Sequence, residues 1–242
     1  MFEAAERLGP PNGDVLIGLA AARWAAGRGE EGEAALDAIV AQVPMWIAGH
    51  VQLAQLRSLM GRADRATASF ERALTQLSAS PELWRGLMDL HLRNEDYSAL
   101  ENAVGRAGAA GIAASTLADH AAIAASELGL TERADHLFAV LPEAAIPVWH
   151  VRHLLRTRRF AQAGSIVEGE LAAGGARRAA IWPYADLLWR LSGDSRSDWL
   201  GDGGLVRHFD LADRLPPLNA LAPHLRSLYV ARGGNLGKSG RG

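Results

Sequence analysis

A glycine recurs at a constant spacing of 34 residues in the first 148 residues of the chain. Gly27, Gly61 and Gly129 occupy the same position of this repeat, and Glu95 occupies it in the remaining copy. Small or apolar side chains stand five, nine and twelve residues later in every copy, and the register needs no insertion over 13–148. A fixed period of this length indicates one structural unit used several times, which constrains the fold more than any single residue does.

Each repeat is predicted to be a pair of short helices joined at the glycine. Apolar residues recur at three- and four-residue steps within each half, and glycine readily takes the left-handed conformation that ends a helix. A small residue five positions after the turn lets the second helix approach the first to about 8–10 Å. Phe70 and Phe138 are expected to fill the space between neighbouring hairpins. The predicted helices are 14–26, 30–43, 47–60, 63–77, 81–93, 97–108, 115–128 and 131–141.

The predicted fold is all-α, an α-solenoid of stacked antiparallel helix pairs followed by a short irregular C-terminal segment. The helical repeat domain is expected to span 1–178. Its repeats are predicted at 13–46, 47–80, 81–114 and 115–148, with a divergent fifth repeat at 148–175 whose helices cover 148–157 and 160–173.

A capping helix and a linker are predicted for residues 179–231. The cap, 181–191, places Pro183 in its first turn, and terminal units of repeat proteins must cover an otherwise exposed apolar face. Three tryptophans are suited to that role: Trp182, Trp189 and Trp199. The linker is predicted to hold a short strand at 205–211 and a final helix at 217–231, and residues 232–242 are expected to form a disordered tail.

The spacing and residue types resemble the tetratricopeptide repeat family. A large residue opens a first helix at Trp84, and a leucine followed by a small residue comes at Leu53 and Ala54. The proline that often ends a repeat is clear at Pro44, whereas the usual tyrosine is replaced by Arg23, Arg57, His91 and Ala125. The resemblance implies a non-catalytic module that binds a protein or peptide on its concave face. An ordinary alanine-rich helical bundle is the alternative.

First-helix residues line the concave face in this family, so they supply the candidate binding residues of this chain. These are Val51, Gln55, Arg85, Asp89, Arg93 and Asp119. The family's clamp for a peptide carboxylate needs paired lysines and asparagines that these positions do not supply, which disfavours an acidic C-terminal tail as the ligand. Ordinary solvation of an unoccupied groove is the alternative for each residue.

A second candidate surface is basic. Arg152, Arg156 and Arg159 share one helix face and could bind a phosphate or carboxylate, although a solvated face is the simpler interpretation. His150 and His153, three residues apart, have the spacing of metal ligands, but no neighbouring Asp, Glu or Cys completes a set. We therefore favour structural roles for both histidines.

Composition excludes several function classes. The 242 residues carry a net charge of −2, without the imbalance expected of a nucleic-acid or anionic-membrane binder. The absence of cysteine excludes disulfides, thiolate zinc sites and cysteine nucleophiles. No secretory signal or membrane-spanning run is recognisable, which predicts a cytoplasmic protein. No catalytic constellation is present either, so neither enzymatic activity nor a cofactor or metal is predicted.

A second resemblance concerns the C-terminal segment. Residues 182–228 are similar to the linker of bacterial proteins that join such repeats to a 2-oxoglutarate and iron(II)-dependent oxygenase domain, and Lys238–Gly242 resembles the start of that domain. The resemblance implies an alternative function, namely the substrate-presenting N-terminal region of an oxygenase whose catalytic domain lies beyond Gly242. The coding sequence downstream would then encode a β-rich segment with a histidine-x-aspartate pair and a distant histidine.

Two motifs in this region are incomplete. His208 and Asp210 form a histidine-x-aspartate pair of the kind that binds iron, but the only later histidine is His224, and too little chain follows to build the barrel of that family. Residues 233–239 resemble a phosphate-binding loop whose first glycine is replaced by Arg232. A solvated linker and a flexible tail are the favoured interpretations.

Overall fold

The structure, a computed structural model, describes residues 13–142, 145–175, 177–198, 209–210 and 214–231. Every regular element in these ranges is helical, which confirms the predicted all-α class. The α-helices, α1 to α12 in chain order, are Gly13–Ala25, Gly29–Gln42, Ile47–Leu59, Ala68–Gln76, Pro81–Arg93, Tyr97–Ala109, Ala114–Glu127, Thr131–Val140, Pro147–Arg156, Phe160–Ala173, Arg177–Ser192 and Leu218–Ala231. None of these helices has the length and apolarity needed to cross a bilayer.

The left-handed turn predicted between paired helices is present at every repeat position. Gly27 and Gly61 both have φ of +77°, Gly129 has φ of +75°, and Glu95 adopts +55° despite its side chain. Arg158 provides the same conformation, φ +58°, after the shorter first helix of the fifth hairpin. The turn is therefore a property of the repeat position and not of glycine alone.

Paired backbone hydrogen bonds explain how these turns end the helices. At the first turn, Gly27 N donates to Trp24 O (3.0 Å) and Arg28 N donates to Arg23 O (2.8 Å). The same pair of bonds recurs at the turns centred on residues 61, 129, 158 and 193. This is the Schellman arrangement, which satisfies carbonyls that the helix itself leaves without a partner.

The small residue after the turn has the predicted packing role. A Cβ added to Gly32 would lie 3.0 Å from Ala20 O and 3.4 Å from Ala20 Cα, so α2 approaches the backbone of α1 closely at this point. Ala66 and Ala134, at the equivalent positions, are 2% and 0% exposed. Larger side chains at these sites would force the paired helices apart.

The two phenylalanines fill the space between hairpins, as predicted. Phe70 is fully buried and stacks on His50 of its own hairpin, with 4.7 Å between ring centroids. A Cβ added to Gly86 on α5 would lie 2.7 Å from Phe70 Cε1, which shows how closely the next hairpin packs. Phe138 stacks on His150 of the following hairpin at 4.5 Å. Each aromatic ring thus joins its own hairpin to the next.

The helices pack into two compact units. The first comprises Met1–Asn94, Ala109–Ile112 and Leu211–Gly242, and the second comprises Glu95–Gly108 and Ala113–Asp210. Within the first unit α1, α2, α3 and α4 each contact the following helix, and α1 contacts α3, α2 contacts α4 and α3 contacts α5. Within the second unit α7 contacts α8 and α9, α9 contacts α10 and α11, and α10 contacts α11.

Two predicted helix boundaries are wrong. The helix predicted at 63–77 is a 3₁₀ helix, Ala63–Arg65, followed by α4, and the carbonyl of Arg65 accepts a hydrogen bond from Arg57 Nη1 (3.3 Å). In a continuous helix this carbonyl would instead accept a hydrogen bond from a backbone N–H one turn later. The capping helix α11 begins at Arg177 and not at residue 181, because the alanine-rich start extends it, so Pro183 lies inside the helix.

The capping segment supplies the last apolar layer of the second unit. Ile181, Ala185, Leu188 and Trp189 of α11 are buried against α9 and α10. Trp182 packs edge to face on Trp189, with 5.5 Å between centroids. Trp199 lies outside the described residues. The predicted strand at 205–211 also falls mainly outside them, and its described part, residues 209–210, has no regular structure.

Candidate functional site

The first helices of successive hairpins lie side by side in the first unit. Helix α3 contacts both α1 and α5, so the three form a continuous surface of first helices. At α3 and α5 the helices pack closely, since a Cβ added to Gly86 would lie 3.0 Å from Ile47 Cγ2. This is the surface on which the concave-face candidates were predicted.

A cavity of about 190 Å³ opens in this surface between α1 and α3. Leu36 and Leu56, which belong to the apolar core of the first three helices, line it together with the partly buried Trp24. Gln52 and Gln55 contribute amide groups. The cavity therefore combines an apolar interior with hydrogen-bonding groups, the combination that is typical of ligand pockets. Its remaining lining residues are Ile17, Ala20, Ala21 and Leu59.

The predicted concave residues of the first unit lie on two adjacent helices. Val51 is half-buried and Gln55 is exposed on α3, and Gln55 lines the cavity. On α5, Arg85 is half-buried, whereas Asp89 and Arg93 are exposed. Arg85 and Asp89 both interact with other residues of the protein, so a ligand would have to share these side chains with them.

The remaining concave candidate, Asp119, belongs to α7 in the second unit. Its Oδ1 accepts hydrogen bonds from the backbone N–H of His120 (2.9 Å) and from His120 Nδ1 (3.0 Å). His120 is itself buried. The carboxylate of Asp119 thus orients a neighbouring core side chain.

The three arginines of the predicted basic face bind carboxylates of the protein itself. Arg156 holds Glu127 through two bonds, Nη1 to Oε2 (3.0 Å) and Nη2 to Oε1 (2.8 Å). Arg152 Nη2 lies 3.2 Å from the same Glu127 Oε1, and Arg159 pairs with Asp135. The arginines therefore pair with two different carboxylates, Glu127 and Asp135. The Glu127 side chain is only 7% exposed.

A chain of hydrogen bonds runs from the buried Ser126 through the buried His153 to the partly exposed Asp135. Ser126 Oγ lies 3.1 Å from His153 Nδ1, and His153 Nε2 lies 2.8 Å from Asp135 Oδ1. The order resembles that of a serine nucleophile and its base. However, Ser126 is 4% and His153 is 2% exposed, and Arg156 Nη2 already donates to Ser126 Oγ (2.7 Å). The serine hydroxyl is enclosed, so a substrate has no access to it in this conformation.

The surroundings of this cluster shift the pKa values of Asp135 and His150. Burial alone would raise the pKa of Asp135, but hydrogen bonds from Arg159 and His153 hold it below its usual range. Burial lowers the pKa of His150, and the neighbouring His153 and Arg159 lower it further. The ring of His150 stacks on Phe138 with 6° between their planes. Both observations fit a structural role for His150.

A comparable network in the first unit was missed by the sequence analysis. Arg57, 2% exposed, donates through Nε to Glu33 Oε1 (2.8 Å) and through Nη2 to Asp37 Oδ1 (3.1 Å). Two partly exposed arginines bind the same carboxylates: Arg62 binds Glu33, and Arg72 binds Asp37. Burial works to raise the pKa of Glu33, yet the hydrogen bonds from Arg57 and Arg62 keep it lowered.

One sequence signal could have revealed these networks. Glu33, Glu101 and Asp135 occupy the same position of the 34-residue repeat. Each pairs with an arginine from further along the chain: Arg57, Arg133 and Arg159, respectively. An acidic residue that recurs at the repeat period is thus a sign of ion pairs between hairpins.

The remaining sequence motifs lie mostly outside the described residues. This holds for His208, for residues 233–239 and for the predicted tail, while Asp210 is exposed without regular structure. Within the described part of the chain, no three histidine, cysteine, aspartate or glutamate side chains are grouped so that they could hold a metal ion. The resemblance of residues 182–228 to an oxygenase linker stays a prediction.

Comparison with known proteins adds no relative. No protein family, curated protein or solved structure matches the chain.

Proposed function

We propose that the chain is a non-catalytic interaction module, an α-solenoid of the tetratricopeptide type that binds a protein or peptide on its first-helix surface. The repeat period, the left-handed turns and, within each unit, the contacts of neighbouring and next-but-one helices support this architecture. Stacked hairpins of this kind present an extended surface made of one helix from each pair.

The observation that carries the proposal is the cavity between α1 and α3. Its interior accepts an apolar side chain, and Gln52 and Gln55 offer both donors and acceptors to a peptide backbone beside it. Exposed Arg93 on α5 extends the same surface with a positive charge. We therefore expect a peptide ligand with one bulky apolar residue close to an acidic one.

The polar clusters support a non-catalytic role. The buried Ser126 and His153 side chains and the Asp135 carboxylate of the second unit bind one another, and so do the arginines and carboxylates of the first unit. Such networks fix the packing of the helices, and their polar groups bind one another instead of a substrate.

A peptide display library selected against the purified protein tests the proposal. The dissociation constants of enriched peptides are then measured by calorimetry for two variants. Ala21→Trp places a large ring at the cavity, and Ala22→Trp places the same ring at the adjacent exposed position that does not line it. We expect Ala21→Trp to weaken binding by more than about tenfold, or about 1.4 kcal/mol, and Ala22→Trp to leave it unchanged.

Two results would contradict the proposal. One is a library that yields no peptide competing for this surface. The other is an Ala21→Trp variant that binds every enriched peptide as tightly as the wild type does. Circular dichroism of both variants checks that the helices are intact.

A further inference from the structure

An apolar groove of about 300 Å³ lies between α10 and α11 in the second unit. Val167, Leu188 and Trp189 line it and also belong to the buried core of α9 to α11. Two further lining residues remain open to solvent, since Phe160 is 42% and Leu191 is 56% exposed. Large apolar side chains exposed beside a groove indicate a surface that a partner covers.

The groove has an acidic character. Three charged residues line it: Glu168, Asp194 and Arg196. Arg196 pairs with Glu168 (2.8 Å) and with Asp194 (2.7 Å), and its guanidinium lies 4.7 Å from the ring centroid of Trp189. Because the single guanidinium of Arg196 pairs with two carboxylates, the edge of the groove has a net negative charge.

Helix α12 has the complementary properties. Four of its leucines follow one another at steps of three, four and three residues and so form one apolar stripe: Leu218, Leu221, Leu225 and Leu228. The first, third and fourth of these are 81%, 53% and 46% exposed. Residues 214–231 contain Arg214 and Arg226 and no acidic residue. The helix is thus apolar along one stripe and basic overall.

We propose that α12 of one copy of the protein docks into the α10–α11 groove of a second copy. An exposed leucine stripe and an open apolar groove occur in the same chain, and their charges are opposite. Apolar cavities of about 150 Å³ accommodate a benzene molecule, so a groove of about 300 Å³ has room for two leucine side chains. This self-association is independent of peptide binding at the α1–α3 cavity.

The contact joins two different surfaces, and this has a consequence for the assembly. A pair of copies still offers one unoccupied groove on one copy and one unoccupied helix on the other, so association continues beyond a dimer unless the rotation closes a ring. The assembly is therefore expected to grow with protein concentration.

Light scattering after size exclusion tests the inference with Leu225→Glu on α12 and Leu191→Glu in the groove. Both positions are more than half exposed, so the fold is expected to tolerate the change. The mass of the wild type should rise with concentration, and each variant alone should be monomeric. An equimolar mixture of the two should form a heterodimer, because one intact helix and one intact groove remain.

Val140→Glu on α8 is the matched control, since Val140 is 62% exposed but lies outside both surfaces. It should associate as the wild type does. The inference is overturned by a wild type that stays monomeric at every concentration, as it would if a different partner or the same chain covered the groove. It is also overturned by variants that still associate alone, or by a mixture that stays monomeric.

Discussion

At the residue scale, one backbone conformation is kept while the side chain that adopts it changes. Glycine takes the left-handed turn at residues 27, 61 and 129, whereas Glu95 and Arg158 take it with side chains. A left-handed residue other than glycine costs about 1–2 kcal/mol through the contact of Cβ with the following carbonyl. The repeat therefore tolerates local strain where the turn is required.

We predict that Glu95→Gly stabilises the protein. The variant removes the strain at φ +55°, and part of the gain is offset by the greater chain entropy of glycine when unfolded, which leaves about 1 kcal/mol. Urea unfolding measures the change. Gly61→Ala, which introduces the same strain at φ +77°, should have the opposite sign. Equal stabilities for all three proteins would show that the turn conformation is not maintained.

His50 provides a second residue-scale prediction, on pH dependence. The side chain is fully buried, its Nε2 donates to Pro44 O (2.9 Å), and its Nδ1 has no hydrogen-bond partner. Burial lowers the pKa of His50 below 6.5, and burial also lowers the pKa of His150. At the pH where the histidines of the unfolded chain begin to bind protons, His50 and His150 are therefore still neutral in the folded protein.

The free energy of unfolding should therefore decrease as the pH falls from 7.5 to 5.5. A lowered folded-state pKa means that stability is complete above the unfolded value, near 6.5, and is lost on acidification towards the folded value. Urea unfolding at both pH values measures this loss, and the His50→Gln/His150→Gln double variant should show a smaller one. A loss of the same size in the double variant would assign the effect to other groups.

At the element scale, helix pairs are held by close backbone approaches and by buried ion pairs. Gly86 brings α5 against Phe70 and Ile47. Arg57 on α3 joins two carboxylates of α2. These two kinds of contact can be tested separately.

Gly86→Ala should destabilise the protein by about 1–3 kcal/mol, because the new methyl group would overlap Phe70 and force the rings or helices to shift. Gly105→Ala on α6 is the control, since a Cβ there would meet nothing within 4 Å. It should stabilise its helix by about 1 kcal/mol. Thermal or urea unfolding measures the stability of both variants. Equal changes in the free energy of unfolding for Gly86→Ala and Gly105→Ala would exclude a close approach at Gly86.

Removal of Arg57 tests the buried network. Arg57→Met should cost about 3 kcal/mol, because Glu33 and Asp37 lose their buried partner. Adding Glu33→Met should recover part of this loss, since a buried apolar pair replaces a broken ion pair. A double-mutant cycle by urea unfolding gives the coupling energy, and strictly additive effects would show that the two side chains act independently.

At the scale of the whole molecule, the repeat register predicted most of the fold. Apart from α4 and α11, the described helices begin and end within one residue of the predicted bounds. Within 13–148 this agreement arises because the period fixes both the apolar faces and the turns. The register could not predict that Arg57 would bind Arg65 O and interrupt the helix before α4. Nor could it predict which arginine reaches which carboxylate, since that depends on side-chain directions across three helices.

The candidate site was predicted less completely. Gln55 was assigned to the first-helix surface and lines its cavity, but the contribution of Trp24 and Leu36 depends on how α2 packs beneath α1 and α3. The pairing of Arg152, Arg156 and Arg159 with internal carboxylates depends on distances between α7, α8 and α9 that spacing alone does not give.

The most direct test of the central claim is a backbone amide NMR titration of the protein with a peptide selected from the display library. Binding on the first-helix surface predicts that the largest chemical-shift changes fall within residues 17–24 and 52–59, with smaller changes on α5. Shift changes confined to the second helices α2 and α4, or scattered without relation to the α1–α3 cavity, would contradict it.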